Sequence, residues 1–229
     1  MIEGLRHILF PEVCVVCRKL LEKGEHQICS TCFGDFNRYP RADAGGNALR
    51  KTILSHFGLS AVPAEAWCLY PYHRNGKLHD AMHALKYEGI FPLGTLFGRK
   101  LGELIQSTGK GAFDSIVPVP LHSLKRIERS YNQSEKIAGG VAEVLGSPLS
   151  TMCVERSIFT GSQTGLTLAA RRKNMDGAFR PGRNSIKGRV LLVDDVLTTG
   201  ATMVAAATTL LETGAESVAF AVVAFTEKE

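Results

Sequence analysis

Two adjacent aspartates, Asp194 and Asp195, follow the apolar run Val190-Leu191-Leu192-Val193 and precede Thr198-Thr199-Gly200-Ala201-Thr202. A run this apolar reads as a strand buried on both faces. Carboxylates at its end are costly to bury without partners. In parallel α/β sheets, ligands sit beyond the carboxyl ends of the strands, which is where this pair falls. Gly200 permits a turn in which successive N–H groups converge, and Thr198, Thr199 and Thr202 add hydroxyl donors. The start of the following helix adds a favourable dipole. Such a turn suits a phosphate monoester. The carboxylates behind it only accept hydrogen bonds, which suits the hydroxyls of a sugar carrying that phosphate. The plainer alternative is an ordinary strand-to-helix turn capped by Asp195.

A second chemistry lies near the N-terminus, where Cys14-x2-Cys17 and Cys29-x2-Cys32 have zinc-ribbon spacing. Each pair forms a knuckle presenting two sulfurs to one metal, and four thiolates leave no open position, so the zinc would be structural. An iron–sulfur cluster or disulfides are the alternatives. Cys68 and Cys153 read as core or near-surface thiols. His79 and His83, four apart on an expected helix, could face a metal, but with no third ligand at matching spacing they read as a polar helix face. His122, after an expected strand, is either a ligand contact or an internally satisfied loop histidine.

The elements that must position these groups follow from periodicity. Strands are expected over residues 66–72, 115–120, 190–193 and 217–225. Helices are expected over 77–89, 93–106, 132–146 and about 200–213, with Asn132 and Glu135 spaced as a capping box. Strands alternating with helices imply an α/β fold, a mostly parallel sheet covered on both faces. Between the second strand and its helix, Lys125, Arg126 and Arg129 form either an anion-neutralising loop or a solvated basic one. Residues 159–179 are long and polar enough for a lid, with Arg171, Arg172 and Lys173 able to close over a charged ligand. A passive surface loop is the alternative. The division expected is a four-cysteine segment (1–40), a connector with one short helix (41–66) and the main domain (67–229).

The chain has 229 residues, 45% of them hydrophobic, and a formal net charge of +5. That is enough for one full α/β domain with a small appendage, and the mild positive balance favours anionic partners. No apolar stretch reaches the roughly 20 residues of a membrane span. The N-terminus lacks the pattern of a signal peptide, so the expected compartment is the cytoplasm.

The 189–202 block resembles the ribose-5-phosphate motif of type I phosphoribosyltransferases, which use phosphoribosyl pyrophosphate (PRPP) with magnesium. The resemblance implies that Asp194 and Asp195 hold ribose hydroxyls and that Thr198, Thr199, Gly200, Ala201 and Thr202 surround the 5-phosphate. It also implies that the basic residues 125, 126 and 129 face the pyrophosphate. "ALKYEG" (84–89), "VPVPLH" with "RSYNQ", "TGSQTGLTLAARRKNMDGAF" and "VLLVDDVLTTGAT" stand in the order seen in the ComF (ComFC/GntX) family. That family joins a zinc-binding segment to a Rossmann-like phosphoribosyltransferase fold and is associated with DNA uptake in natural competence. This chain departs from the family pattern at Ser130, where glycine is usual, and at Ile127, where arginine is usual.

The acceptor nucleophile is not legible, and neither is a base-recognition segment. The rival is therefore a non-catalytic DNA-uptake factor binding single-stranded DNA and a helicase partner. A nucleobase salvage phosphoribosyltransferase is a third reading. Around the cysteines, Arg18, Lys19, Lys23, Arg38 and Arg41 with Phe33 and Tyr39 suit single-stranded DNA. Glu22, Glu25 and Asp35 oppose that reading and favour docking on a protein.

Overall fold

Successive residues of one strand enter two different cores, and this sets the architecture. In β5 (Gly188–Leu197), Val190 and Leu192 belong to one apolar cluster while Leu191 and Val193 belong to the other. The period of two is that of a strand covered on both faces. The computed structural model describes residues 12–157 and 177–226.

Strand β5 lies inside a four-stranded sheet with β1 (Ala66–Pro71), β2 (Ser115–Pro118) and β6 (Ala215–Phe225), all pairs parallel, in the order β1-β6-β5-β2. One face is covered by α3 (Lys77–Tyr87), α4 (Phe91–Ser107) and α6 (Gln133–Leu145). The other is covered by α2 (Ala44–Phe57) and α7 (Ala201–Glu212), with the short antiparallel pair β3 (Val154–Arg156) and β4 (Phe179–Pro181) beside them. Between β2 and α6 runs α5 (Ser123–Arg129), so the basic residues expected on a loop stand on a helix instead. A short helix α1 (Ser30–Gly34) closes the cysteine segment.

All four expected strands and all four expected helices form. The stretch expected to be a connector behaves differently, because its helix α2 is 14 residues long with Leu49 and Ile53 fully buried. The four-cysteine segment is also continuous with the core. Val15, Leu21, Ile28 and Phe36 share an apolar cluster with Tyr70, Met82 and Phe97, and Phe36 meets the Tyr70 ring edge-on at 5.4 Å. Two ion pairs bracket α3 against this segment. Lys77 at its start reaches Asp35, and Glu88 just past its end pairs with Arg18 at 3.0 Å.

Helices α4 and α6 approach backbone to backbone. Gly94, Gly98 and Gly102, spaced by four, face α6, and a Cβ on Gly98 would lie 2.0 Å from the Ile137 carbonyl oxygen. At the amino ends of the strands, Glu65 pairs with Arg189 and, at 3.1 Å, with Lys110, while Asp114 accepts the Arg189 backbone N–H at 2.7 Å. No helix among the described residues is long and apolar enough to cross a membrane.

Candidate functional site

Pairing between β2 and β5 ends at Pro118 and Val193, with one more bond from the Val119 N–H to the Val193 carbonyl. Beyond that point the strands part, and the N-terminus of α6 faces the opening. Asn132 caps α6, its side-chain oxygen accepting from the Ser134 N–H at 3.1 Å while its amide donates to the Val119 carbonyl at 3.0 Å. Glu135, the expected second half of a capping box, faces Arg126 at 3.9 Å. This cap aims Gln133 and Ser134 at the acidic pair. Ser134 Oγ donates to Asp194 Oδ1 at 2.7 Å, and Gln133 Nε2 donates to Asp195 Oδ2 at 3.1 Å. Lys86, in the last turn of α3, reaches the same Asp195 oxygen at 3.0 Å.

The two carboxyls are therefore in different electrical states. Burial and the adjacent Asp195 push Asp194 up to about 7, against the pull of Ser134. Burial also acts on Asp195, but Lys86 and the Gln133 amide outweigh it and hold that carboxyl below its usual value. Lys86 is itself held above its ordinary value, because the attraction of Asp195 overcomes desolvation. One ionised carboxylate and one carboxyl that titrates near neutrality is the expected outcome for two acids this close when an ammonium stands on only one of them.

Thr199 and Gly200 are buried, Thr198 is exposed, and Ala201 opens α7. Gly200 takes φ 87°, the left-handed conformation expected of the turn. The turn is held from behind by α2, whose His56 Nδ1 lies 3.1 Å from the Thr199 carbonyl oxygen. A carbonyl can only accept, so the imidazole donates there. Thr202 is half-buried in the first turn of α7. The turn, the helix start and the acidic pair thus meet at one end of β5.

On the opposite rim, Arg129 lies over the Tyr87 ring at 5.0 Å and Arg126 faces Glu135. Lys125 is held below its usual value by burial and by the positive charges of Arg156 and Arg129. Three buried polar atoms here have no hydrogen-bond partner: Arg129 Nε, Tyr131 Oη and Gln133 Oε1. Arg171 and Arg172, with nearly all of the expected lid, lie outside the described residues. His122 caps α5 by accepting from the Leu124 N–H at 3.2 Å, and His79 and His83 stand on an exposed helix face.

Sequence reasoning missed Lys86, Gln133, Ser134 and His56, and also Arg156, whose charge acts on Asp194. A signal existed for Lys86. It follows Leu78, Met82 and Leu85 on the buried stripe of α3, a position where an uncompensated ammonium would be costly.

The four thiols of Cys14, Cys17, Cys29 and Cys32 lie within 4.8 Å of one another, and three of those residues are buried. The Cys29 N–H donates to the Cys14 sulfur and the Cys32 N–H to the Cys29 sulfur, both at 3.4 Å. Burial and the neighbouring thiols push Cys32 up to about 12. Four thiolates cannot share this space without a cation, so the donor set fits a metal ion such as zinc. Of the cations near it, Arg18 and Arg41 are paired with Glu88 and Asp43.

A profile of the phosphoribosyl transferase domain matches residues 132–229. DNA utilization protein YhgH of Escherichia coli O157:H7 is 30% identical over 226 residues, covering 91% of this chain and 94% of its own length. The chain belongs to the ComF family. Competence protein F of Haemophilus influenzae is 26% identical over 214 residues, covering 90% of this chain and 93% of that one. Among solved structures, a purine phosphoribosyltransferase from Pyrococcus horikoshii matches with a TM-score of 0.36 at 18% identity, over 58% of this chain and 75% of that one. An orotate phosphoribosyltransferase from Aeropyrum pernix matches with a TM-score of 0.34 at 21% identity, over 56% and 57%. This ComF chain has the phosphoribosyltransferase fold, its matched region running from the cap of α6 through the acidic pair and the 198–202 turn. In front of that fold the ComF chain carries the four-cysteine cluster.

Proposed function

We propose that this ComF-family chain binds the ribose 5-phosphate moiety of PRPP and acts in DNA uptake. The observation that carries the reading is the convergence of Asp194 and Asp195 with the Gly200 turn at the carboxyl end of β5. In this reading the two aspartates accept from the ribose hydroxyls, while residues 198–202 and the start of α7 bind the 5-phosphate. Lys125, Arg126, Arg129, Arg171 and Arg172 form the pyrophosphate side, and magnesium accompanies PRPP there. Buried Gln133 Oε1 supports the reading, because an acceptor without a partner calls for a donor such as a sugar hydroxyl.

As a transferase, the protein would release pyrophosphate as a nucleophile attacks C1 of the ribose, with catalysis coming from positioning and charge stabilisation. The zinc held by the four cysteines is structural, and the place of action is the cytoplasm. The names of the relatives, which refer to DNA utilization and competence, favour a second reading. In it the same site senses PRPP without turnover, and the protein works with single-stranded DNA and a helicase. Calorimetric titration with PRPP and magnesium, followed by a screen of nucleobases for pyrophosphate release, separates the two. Binding with release supports the transferase, and binding without release supports the sensor. No binding, or wild-type affinity in an Asp194→Asn, Asp195→Asn double variant, overturns the site.

A further inference from the structure

Adjacent aspartates at a strand end are a common way to hold a divalent cation, yet here an ammonium already stands on one of them. Lys86 Nζ lies 3.0 Å from Asp195 Oδ2, with the lysine side chain 22% exposed and the aspartate 9%. Gln133 Nε2 donates to that same oxygen, and the Val196 N–H donates to the other. Lys86 is delivered by a helix whose apolar side is fixed in the core by Leu78, Ala81, Met82 and Leu85. Its place on Asp195 is therefore built into the packing.

We propose that Lys86 is the resident counter-ion of the sugar-phosphate site, holding Asp195 as a carboxylate that accepts a sugar hydroxyl and taking the place a metal ion would have on it. The inference rests on the ribose-phosphate reading and adds to it the group that sets the site's charge. Two carboxyls this close repel, and without a cation beside Asp195 the pair gives up its protons less readily, its titration moving upward. A protonated pair offers fewer acceptors to the hydroxyls of a ligand. The other groups around Lys86 do not substitute for it. Tyr72, beyond β1, is a neutral phenol whose ionisation burial opposes, and Asp194 on β5 adds negative charge. Lys125 and Arg129 on α5 are further cations of the opening, and Arg156 on β3 acts on Asp194, whereas Asp195 is held by Lys86. Arg129 lies over Tyr87, Arg156 over Phe179 at 5.7 Å, and Lys125 is disfavoured as a cation by burial and by its positive neighbours.

The test compares wild type, Lys86→Met and Lys86→Arg, each checked for folding by its thermal melt. Ribose 5-phosphate is titrated calorimetrically from pH 5.5 to 8.5 without divalent cations. Carboxylate carbon shifts of Asp194 and Asp195 are followed over the same range in the ligand-free proteins. Wild type should bind without metal. Lys86→Met should lose affinity by about tenfold or more at pH 6.5 and recover it as the pH rises, one unit of displacement being a factor of ten. Its aspartate titrations should move up by a comparable amount. Lys86→Arg should keep the wild-type profile. Affinity profiles of wild type and Lys86→Met that run parallel, or unmoved aspartate titrations, overturn the inference while the sugar-phosphate reading stands. Aspartate titrations that move up in Lys86→Met, in a protein that binds no ribose 5-phosphate at any pH, overturn that reading and with it the role of Lys86 in a ligand site. A variant that melts too low to titrate is replaced by Lys86→Gln, judged by the same two readouts.

Discussion

A Cβ placed on Gly200 would lie 2.0 Å from Ile53 Cδ1. The 198–202 turn and helix α2 are thus in contact, and a methyl group between them would have to displace the end of the buried Ile53 side chain. Gly200→Ala meets this clash and must also hold φ 87° with a side chain. Overpacking and left-handed strain together should destabilise the fold by about 2–4 kcal/mol. Urea unfolding measures it, and Ile53→Val in the same chain should recover part of the loss by making room.

Asp194 should make the ligand-free protein less stable as the pH rises. Its carboxyl is pushed up to about 7, so the native state keeps a proton that the unfolded chain releases above about 4. The native state binds more protons across that window, and stability therefore falls from about pH 4 to pH 7. Asparagine keeps an acceptor for Ser134 Oγ and carries no charge. Asp194→Asn should melt higher than wild type at pH 8, with the advantage gone by pH 4. An advantage equal at both pH values would mean that the carboxyl is not held neutral. Asp195 works in the opposite sense, since its depressed carboxyl contributes stability that is lost as acid protonates it and releases Lys86.

Ser130 ends α5 with φ 64° and ψ −9°. A residue with a Cβ is strained there, which gives the physical reason that glycine is usual at this position of the motif. Ser130→Gly should stabilise the protein by up to about 1 kcal/mol. The residue is exposed, so denaturant midpoints read the change without a packing term.

The sheet was legible because apolar runs and amphipathic stripes repeat at fixed periods, and Val190 to Val193 declare a buried strand without further help. The turn at 198–202 was legible because its residue types are unusual together. Helix α2 was not, because its stripe is thin. Two glycines, a run of polar residues and only Leu49 and Ile53 as core anchors look like a linker until the sheet they cover is known. Lys86 and Gln133 were hidden for a different reason. Each lies on a buried helical face where a polar residue reads as an interruption, and its partner is far away in sequence. The Gly94, Gly98, Gly102 spacing was available as a sign of close helix contact, although a four-residue spacing alone does not name the partner helix.

The cysteine segment should not melt as a separate unit. Cys14→Ser with Cys17→Ser removes two of four thiols from a metal-sized cluster and loosens Val15, Leu21, Ile28 and Phe36, which pack with Tyr70 and Phe97. Calorimetry should show one transition shifted downward, with metal content lost in elemental analysis. A first transition confined to the segment, with the second at the wild-type temperature, would show that the shared cluster does not couple them.

The strands run from an ion-paired end to the end where the proposed ligand site lies. Glu65, Arg189, Lys110 and Asp114 bind one another at the amino ends, whereas Asp194, Asp195 and the Gly200 turn converge toward the carboxyl ends. The contacts that tie the strands together and the proposed ligand site therefore lie at opposite poles of the same sheet. Descendants of such a chain can exchange the loops at the carboxyl pole and acquire new ligands without disturbing the pole that keeps the strands together. The same polarity lets a four-cysteine appendage pack against one face while the carboxyl pole stays free of it.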